Sequence, residues 1–210
     1  MAGFINTIDA LGDDVVIDSI INRTITEFKD NVITEVGQYA FHSCAALTEV
    51  AVPNATLIET YAFFGCSAME SIDLSSVTTI KNYAFKQCTA LTEVYCPLLS
   101  GSIYYTFPDC TSLAKADLPK VTSLNAEVFS KCTALTALIL RVDRVCTLAH
   151  TNCFTNTPIS LGTGYIYVPR ALVDSYKAAT NWSTYAARFR ALEDYTVDGT
   201  TTGELDETKI

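Results

Sequence analysis

The stretch Tyr39-Ala40-Phe41-His42-Ser43-Cys44-Ala45-Ala46-Leu47-Thr48-Glu49-Val50-Ala51-Val52-Pro53 decides the fold, because it comes back. Its Tyr-Ala-Phe triplet returns at Tyr61-Ala62-Phe63 and Tyr83-Ala84-Phe85, then as Tyr105-Thr106-Phe107 and as Val128-Phe129. Three residues after each phenylalanine stands Cys44, Cys66, Cys88, Cys110 or Cys132, always 22 residues from the last. Apolar columns follow at Leu47, Met69, Leu91, Leu113 and Leu135, then at Val50, Ile72, Val94, Ala116 and Leu138. A further column runs through Val52, Leu74, Cys96, Leu118 and Leu140, and Pro53, Pro97 and Pro119 come next in three copies. Val36, Ile58, Ile80 and Leu124 complete the unit on its N-terminal side.

A unit of this length cannot bury its apolar side chains alone, so successive units must stack and share one core. Strict alternation at Glu49-Val50-Ala51-Val52 turns the two valines inward and Glu49 and Ala51 outward. Equivalent strands then pair in parallel at about 4.8 Å, and proline, lacking an amide hydrogen, ends each one. The Tyr-Ala-Phe-x-x-Cys half is expected to turn back as a short helical or 3-10 segment. Its phenylalanines, Phe41, Phe63, Phe85, Phe107 and Phe129, fall in line as a stacked spine. The predicted fold class is an α/β solenoid, with parallel strands on one face and short helical or 3-10 turns on the other.

Eight cysteines invite a disulfide framework, but a regular 22-residue spacing is not how such frameworks are built. A periodic cysteine fills one equivalent core slot per unit as a small hydrophobe, so buried thiols are expected. Cys96, Cys146 and Cys153 lie outside the ladder, and a Cys146–Cys153 pair stays open. No CxxC pair exists and only His42 and His150 are present, so no metal site is expected.

The unit L-x-x-V-x-V-P … I-x-x-Y-A-F-x-x-C resembles the BspA-like class of leucine-rich repeats, over about Ile33 to Pro169. The resemblance implies a solenoid used for adhesion or binding, of a kind found in bacterial surface proteins, gut commensals and their phages, and some protists. Two copies depart from the pattern. In the fourth, Ser102 stands where an inward isoleucine belongs and Pro108 follows the phenylalanine, which predicts an irregular turn side. In the sixth, Cys153-Phe154 takes the place of Ala-Phe after a three-residue slip, and Leu148-Ala149-His150 is non-consensus.

Repeat arrays need caps over their open ends. The expected boundaries are an N-terminal cap over 1–32, five to six repeats over 33–168, a helical cap over 169–194 and a polar tail over 195–210. Val15 to Ile21 reads as an amphipathic lead-in and Ile25-Thr26-Glu27-Phe28 as a strand entering the stack. Tyr165-Ile166-Tyr167-Val168 is the last strand, and Pro169 suits the first position of a helix over Arg170 to Ala179. Asn181 is expected to cap a second helix, on which Trp182, Tyr185, Ala186, Phe189 and Leu192 share one face against the last coil. Gly162-Thr163-Gly164 reads as a turn between strands rather than a phosphate loop. The tail, rich in Thr and Gly, is expected to be mobile unless something orders it.

Composition narrows the function. Of 210 residues 49% are hydrophobic and 18% charged, with a net charge of −9. That is core-rich, not disordered. The acidic balance argues against nucleic acid, and no apolar run reaches the roughly 18 residues of a membrane span. The first residues show no secretory signal pattern, so cytoplasmic synthesis is expected, with a virion or the cell surface reached by a non-classical route. The sequons at Asn22, Asn54 and Asn181 then carry no meaning.

Candidate chemistry is thin. His42, beside Ser43 and two residues from Cys44, reads as a solvated loop histidine with Ser43 pointing away. Cys146, His150 and Cys153 form the one place where thiols and a histidine cluster out of register, and they are the residues an enzyme would use. The outward strand columns read Glu49, Ser71, Glu93, Lys115, Ala137 and Ala51, Asp73, Tyr95, Asp117, Ile139. A carboxylate pair of glycosidase type needs an enclosed pocket that an open strand face does not offer. As a binding surface the same columns place Tyr95 as an aromatic anchor ringed by Asp73, Glu93, Lys115 and Asp117. The expected function is a non-catalytic recognition module for a protein or glycan partner, without cofactors. A structural virion component, tail or decoration, is the alternative, and homo-oligomerisation stays open.

Overall fold

The computed structural model describes residues 24–206 and 208–209. The lead-in at 15–21 lies outside the described residues. A typical coil has three sides: a strand, a second strand on its flank, and a turn.

The first side forms the strand face. Glu27–Lys29 pairs with Glu49–Ala51 in parallel, with Phe28 opposite Val50. The next coil carries no strand at 71–73, and there Asp73 Oδ1 instead accepts a hydrogen bond from the Ser75 amide at 2.8 Å. Beyond that break the face resumes as a five-stranded parallel sheet. It runs Glu93–Tyr95, Lys115–Asp117, Ala137–Ile139, Tyr165–Val168 and Phe189–Ala191. Alternation holds where it was expected: Val50 and Val52 are buried, and Glu49 is exposed. The flank carries two three-stranded parallel sheets, Glu35–Val36, Leu57–Ile58 and Thr79–Ile80, then Ser100–Ile103, Lys120–Leu124 and Thr147–Leu148. Threonines at the joints extend these ladders: the hydroxyls of Thr48, Thr56, Thr78, Thr92 and Thr136 each donate to a carbonyl 22 residues earlier.

The turn side is not a continuous 3-10 helix. Its amides alternate in direction: those of Ala40, His42 and Cys44 bond within the turn, while those of Tyr39, Phe41 and Ser43 bond forward to the next coil. Such alternation needs left-handed residues, and two columns supply them, Tyr39, Tyr61, Tyr83, Tyr105 and Glu127, and Ser43, Gly65, Gln87, Asp109, Lys131 and Asn156. Only Gly65 is the residue type that adopts this conformation without steric cost. At Tyr39, Ser43, Tyr61, Tyr83, Gln87, Tyr105, Asp109 and Lys131 the forward bonds offset a cost of roughly 1–2 kcal/mol each. In the sixth coil Thr151–Phe154 is a true 3-10 turn.

Inside, the phenylalanine spine stacks as expected. Ring centroids are 5.1 Å apart for Phe41 and Phe63, 5.3 Å for Phe63 and Phe85, and 5.4 Å for Phe85 and Phe107. Phe107 and Phe129 are 5.8 Å apart. Phe154 continues the row at 6.1 Å from Phe129, so the slipped sixth copy keeps its spine position. All eight cysteines are buried thiols, and Cys146 and Cys153 do not pair. The ladder thiols of Cys66, Cys88, Cys110 and Cys132 each donate to the carbonyl of a phenylalanine 25 residues earlier, at 3.0–3.2 Å. A thiol is the one small apolar side chain that satisfies this carbonyl while filling a core slot.

The fourth coil differs from expectation in an instructive way. A bulge between Gly101 and Ser102 advances the register by one residue, so Ile103 pairs with Leu124 and takes the inward slot while Ser102 stays exposed. The turn keeps its place in the forward ladder, since Phe85 and Gln87 donate to the carbonyls of Thr106 and Pro108. Irregularity remains: Pro108 has no amide to close the inner bond, the Tyr83 amide bonds to the Tyr105 carbonyl rather than to that of the residue before it, and the Thr106 hydroxyl turns back to the Tyr104 carbonyl.

The C-terminal cap departs most. The short helix Pro158–Leu161 is closed by a Thr157–Ser160 capping box and by Gly162 in the left-handed region. Gly164 follows where a Cβ would lie 3.0 Å from the Leu135 carbonyl oxygen and 2.8 Å from the Ile159 nitrogen. Pro169 precedes the 3-10 turn Arg170–Leu172 and the helix Val173–Ala178. The expected second helix does not form: Trp182–Arg188 is a 3-10 segment kinked at Tyr185, and Phe189–Ala191 is a strand on the edge of the face. Asn181, at φ 64°, caps nothing with its side chain. Its Nδ2 donates instead to the carbonyls of Leu148 and Ala149. Trp182 Nε1 donates to the Cys146 carbonyl, Tyr185 Oη to that of Thr151, and Tyr176 Oη accepts from the Cys146 amide. The cap thus satisfies the last coil's open edge with side chains, which is what an exposed strand edge requires. Trp182 and Tyr185 also close the spine against Phe154.

Candidate functional site

The outward columns of the strand face divide into two halves. In the open half Lys29 Nζ lies 2.8 Å from Glu49 Oε1 and 3.5 Å from Glu27 Oε2. Lys115 Nζ lies 2.9 Å from Glu93 Oε2. Between these pairs Asp73 is exposed, and Tyr95 projects with 57% of its surface accessible. Tyr95 is the most exposed aromatic side chain of the strand face among the described residues. Tyr95, Glu93 and Lys115 lie on two paired strands of one sheet, and Asp73 is exposed in the coil before them.

Asp117 does not join them. It was expected on the solvated rim, and it is 7% exposed. Arg141 grips its carboxylate from Nε and Nη2 at 2.8–3.1 Å. Burial pushes the Asp117 carboxyl above its ordinary range, against the hydrogen bonds and charge of Arg141 and the charge of Lys115. Ile139, one strand further, was also placed outward toward solvent and is fully buried. Residues 195–206 cover this second half. Tyr195 packs edge-on against Tyr167 with centroids 5.0 Å apart, and Leu205 adds to the cluster of Ala137, Ile139, Tyr167 and Leu192. No periodic signal marks this contact; Arg141, a lone arginine directly after the column of Leu140, is the one trace of it in the sequence.

The same end of the face holds an arginine over an aromatic ring: the Arg190 guanidinium lies 4.0 Å from the centre of Tyr165.

Candidate catalytic groups are not brought into a working arrangement. Cys146 and Cys153 are buried, and His150 is exposed. Burial pushes the Cys146 thiol up to about 12 and that of Cys153 higher still, so neither is a thiolate at neutral pH. A groove of about 460 Å³ between the last coil and the cap is lined by Leu148, Ala149, Ala179, Asn181 and Trp182 beside Cys146, with no base among them. At the other end, Ser43 does not point away from His42: its Oγ lies 3.0 Å from His42 Nδ1. The imidazole stacks on Phe64 at 4.9 Å and meets the Tyr39 ring edge-on at 5.6 Å on the outside of the turn, and among the described residues no hydrogen-bonding third group orients it. Among the described residues no three of His, Cys, Asp or Glu come close enough to hold a metal ion.

Comparisons with known proteins agree with this architecture. A family model described as BspA type leucine rich repeat region matches residues 19–136 and 57–166, in six copies. A leucine-rich repeat protein from Bacteroides ovatus is similar in structure, with 26% identity and a TM-score of 0.52 over 70% of this chain. A leucine rich cell surface protein from Faecalibacterium prausnitzii is similar at 28% identity and a TM-score of 0.55 over 69%. The match covers 40% and 39% of those two chains, so this chain spans about two fifths of their length. No curated protein matches the chain. The stacked phenylalanines, the thiol ladder and the parallel strand face are accordingly those of a repeat array, and the chain belongs to the BspA-type leucine-rich repeat family.

Proposed function

We propose that this protein is a non-catalytic recognition module that engages a protein or glycan partner through the open half of its strand face. The observation that carries the reading is Tyr95, 57% exposed on the strand that borders the covered half, with Glu93 on the same strand, Lys115 paired to Glu93 and Asp73 exposed one coil before. The burial of every thiol supports the non-catalytic reading. The likeness to a protein described as a cell surface protein supports an extracellular setting. Assembly into a virion, which an ordered tail would favour, loses that support because residues 195–206 dock on their own chain.

The test combines a glycan array with pull-down of surface extracts on immobilised protein. Tyr95→Ala is expected to abolish the recovered binding, while His42→Ala leaves it intact. Binding that survives Tyr95→Ala, or turnover that disappears with His150→Ala, sinks the reading.

A further inference from the structure

The contact that covers the second half of the face has the anatomy of a bound peptide. Residues 195–206 form their own small hairpin: the Val197 amide donates to the Glu204 carbonyl and the Asp206 amide to that of Tyr195. Thr196 bridges antiparallel to Leu205. This hairpin meets the face through a Tyr195 ring, a Leu205 side chain and two backbone carbonyls. Those carbonyls, of Thr201 and Gly203, accept from Arg141 Nη1 at 2.6 and 3.1 Å while the rest of the guanidinium holds Asp117. Among the described residues the sheet lends no backbone group to these contacts, and the hairpin lends no residue to the phenylalanine spine or to the forward bonds of the turns. The surface underneath is apolar and continuous with the open half, since Tyr95 pairs in register with Asp117.

We infer that the C-terminal half of the strand face is a peptide-docking surface whose resident occupant is residues 195–206. An outside segment takes its place when that occupant is released: a short hairpin or extended peptide offering an aromatic ring, an aliphatic side chain and two carbonyls to Arg141. The inference rests on the recognition reading for its purpose and extends it from one half of the face to both. One guanidinium, one aromatic contact and one aliphatic contact are what an external peptide must match.

The experiment uses the full chain with Tyr195→Ala and Leu205→Ala, which loosen the hairpin and leave the face intact. The probe is a fluorescently labelled peptide of residues 194–206, followed by anisotropy, with a scrambled peptide as control. The released protein is expected to bind it saturably and the unmodified protein at least tenfold more weakly. Adding Arg141→Ala to the released protein is expected to abolish the binding. Hydrogen exchange at the Phe63 and Phe85 amides is expected to stay slow in all variants. No binding by the released protein, equal binding by the unmodified one, or fast exchange at Phe63 and Phe85 overturns the inference. Tyr195→Ala alone, a milder release, is expected to bind between the two extremes. Recovery of surface extracts on the unmodified protein is scored alongside, so failure here and failure of the open half as a binding surface are read separately.

Discussion

Tyr95 and Tyr167 stand in one outward column of one sheet, linked strand by strand through Asp117 and Ile139. Tyr95 is 57% exposed and Tyr167 is 2% exposed. The backbone beneath them repeats, and the side chains are the same residue. What separates them is a segment nearly thirty residues further along, folded back over one half of the face. In a repeat array the interior is set by neighbouring units, because each coil touches only the next. The outer surface has no such rule, and any part of the chain long enough to reach it can claim it.

If that account holds, the interior must not distinguish the halves. Phe63→Ala and Phe129→Ala are both expected to cost about 3–5 kcal/mol in denaturant unfolding, since both rings are fully buried in the same spine. A large difference between them would break the comparison at its base. Next, Tyr167→Ala is expected to lower stability by about 2–4 kcal/mol as a buried aromatic truncation. Tyr95→Ala should fall within about 0.5 kcal/mol, as surface changes do. Equal effects would mean that the covering segment contributes nothing.

Charge sharpens the contrast. The Asp117 carboxyl is raised by burial, so the folded protein binds more protons there than the unfolded chain. Its contribution to stability is therefore full below the ordinary value of 3.8 and is lost as pH rises through the folded value. Asp198 and Asp206 in the covering hairpin run the other way, lowered by hydrogen bonds from Thr200 and Thr208. Their contribution is present above 3.8 and is lost as pH falls through their folded values. Carboxyl-carbon titration by NMR is expected to place Asp117 above and Asp198 and Asp206 below that reference; the reverse order contradicts the burial of Asp117. A small effect is also expected in the open half, where Lys115→Ala should change stability by less than about 1 kcal/mol and less still in high salt.

Much of the stack was legible in residue order. The phenylalanine and cysteine columns, the inward valines and the slip at Cys153-Phe154 each predict the position that the structure shows. The left-handed turn residues were not legible, because Tyr, Ser, Gln, Asp and Lys hold those positions and Gly65 alone hints at them. Ser102 misled for a related reason: a one-residue bulge restores Ile103 to the core, and periodicity counts residues without seeing bulges. In the cap, Trp182, Tyr185 and Phe189 fall at helical spacing, yet tertiary context overrides it. The last face strand had an open edge, and Phe189–Ala191 pairs with it as a strand.

Of the candidate site, the outward direction of Tyr95, Glu93 and Lys115 was readable from alternation alone, since an outward residue in a strand needs only its parity, while Asp73 is exposed in a coil that forms no strand on that face. Asp117 has the same parity and the opposite fate. Residue order by itself determined the coil, its core and which side chains point away from it, because those follow from period and from contact between adjacent units. Only the tertiary structure decided which of the outward side chains meet water, because that depends on a contact between Arg141 and carbonyls some sixty residues away, and no local pattern encodes where a distant hairpin comes to rest.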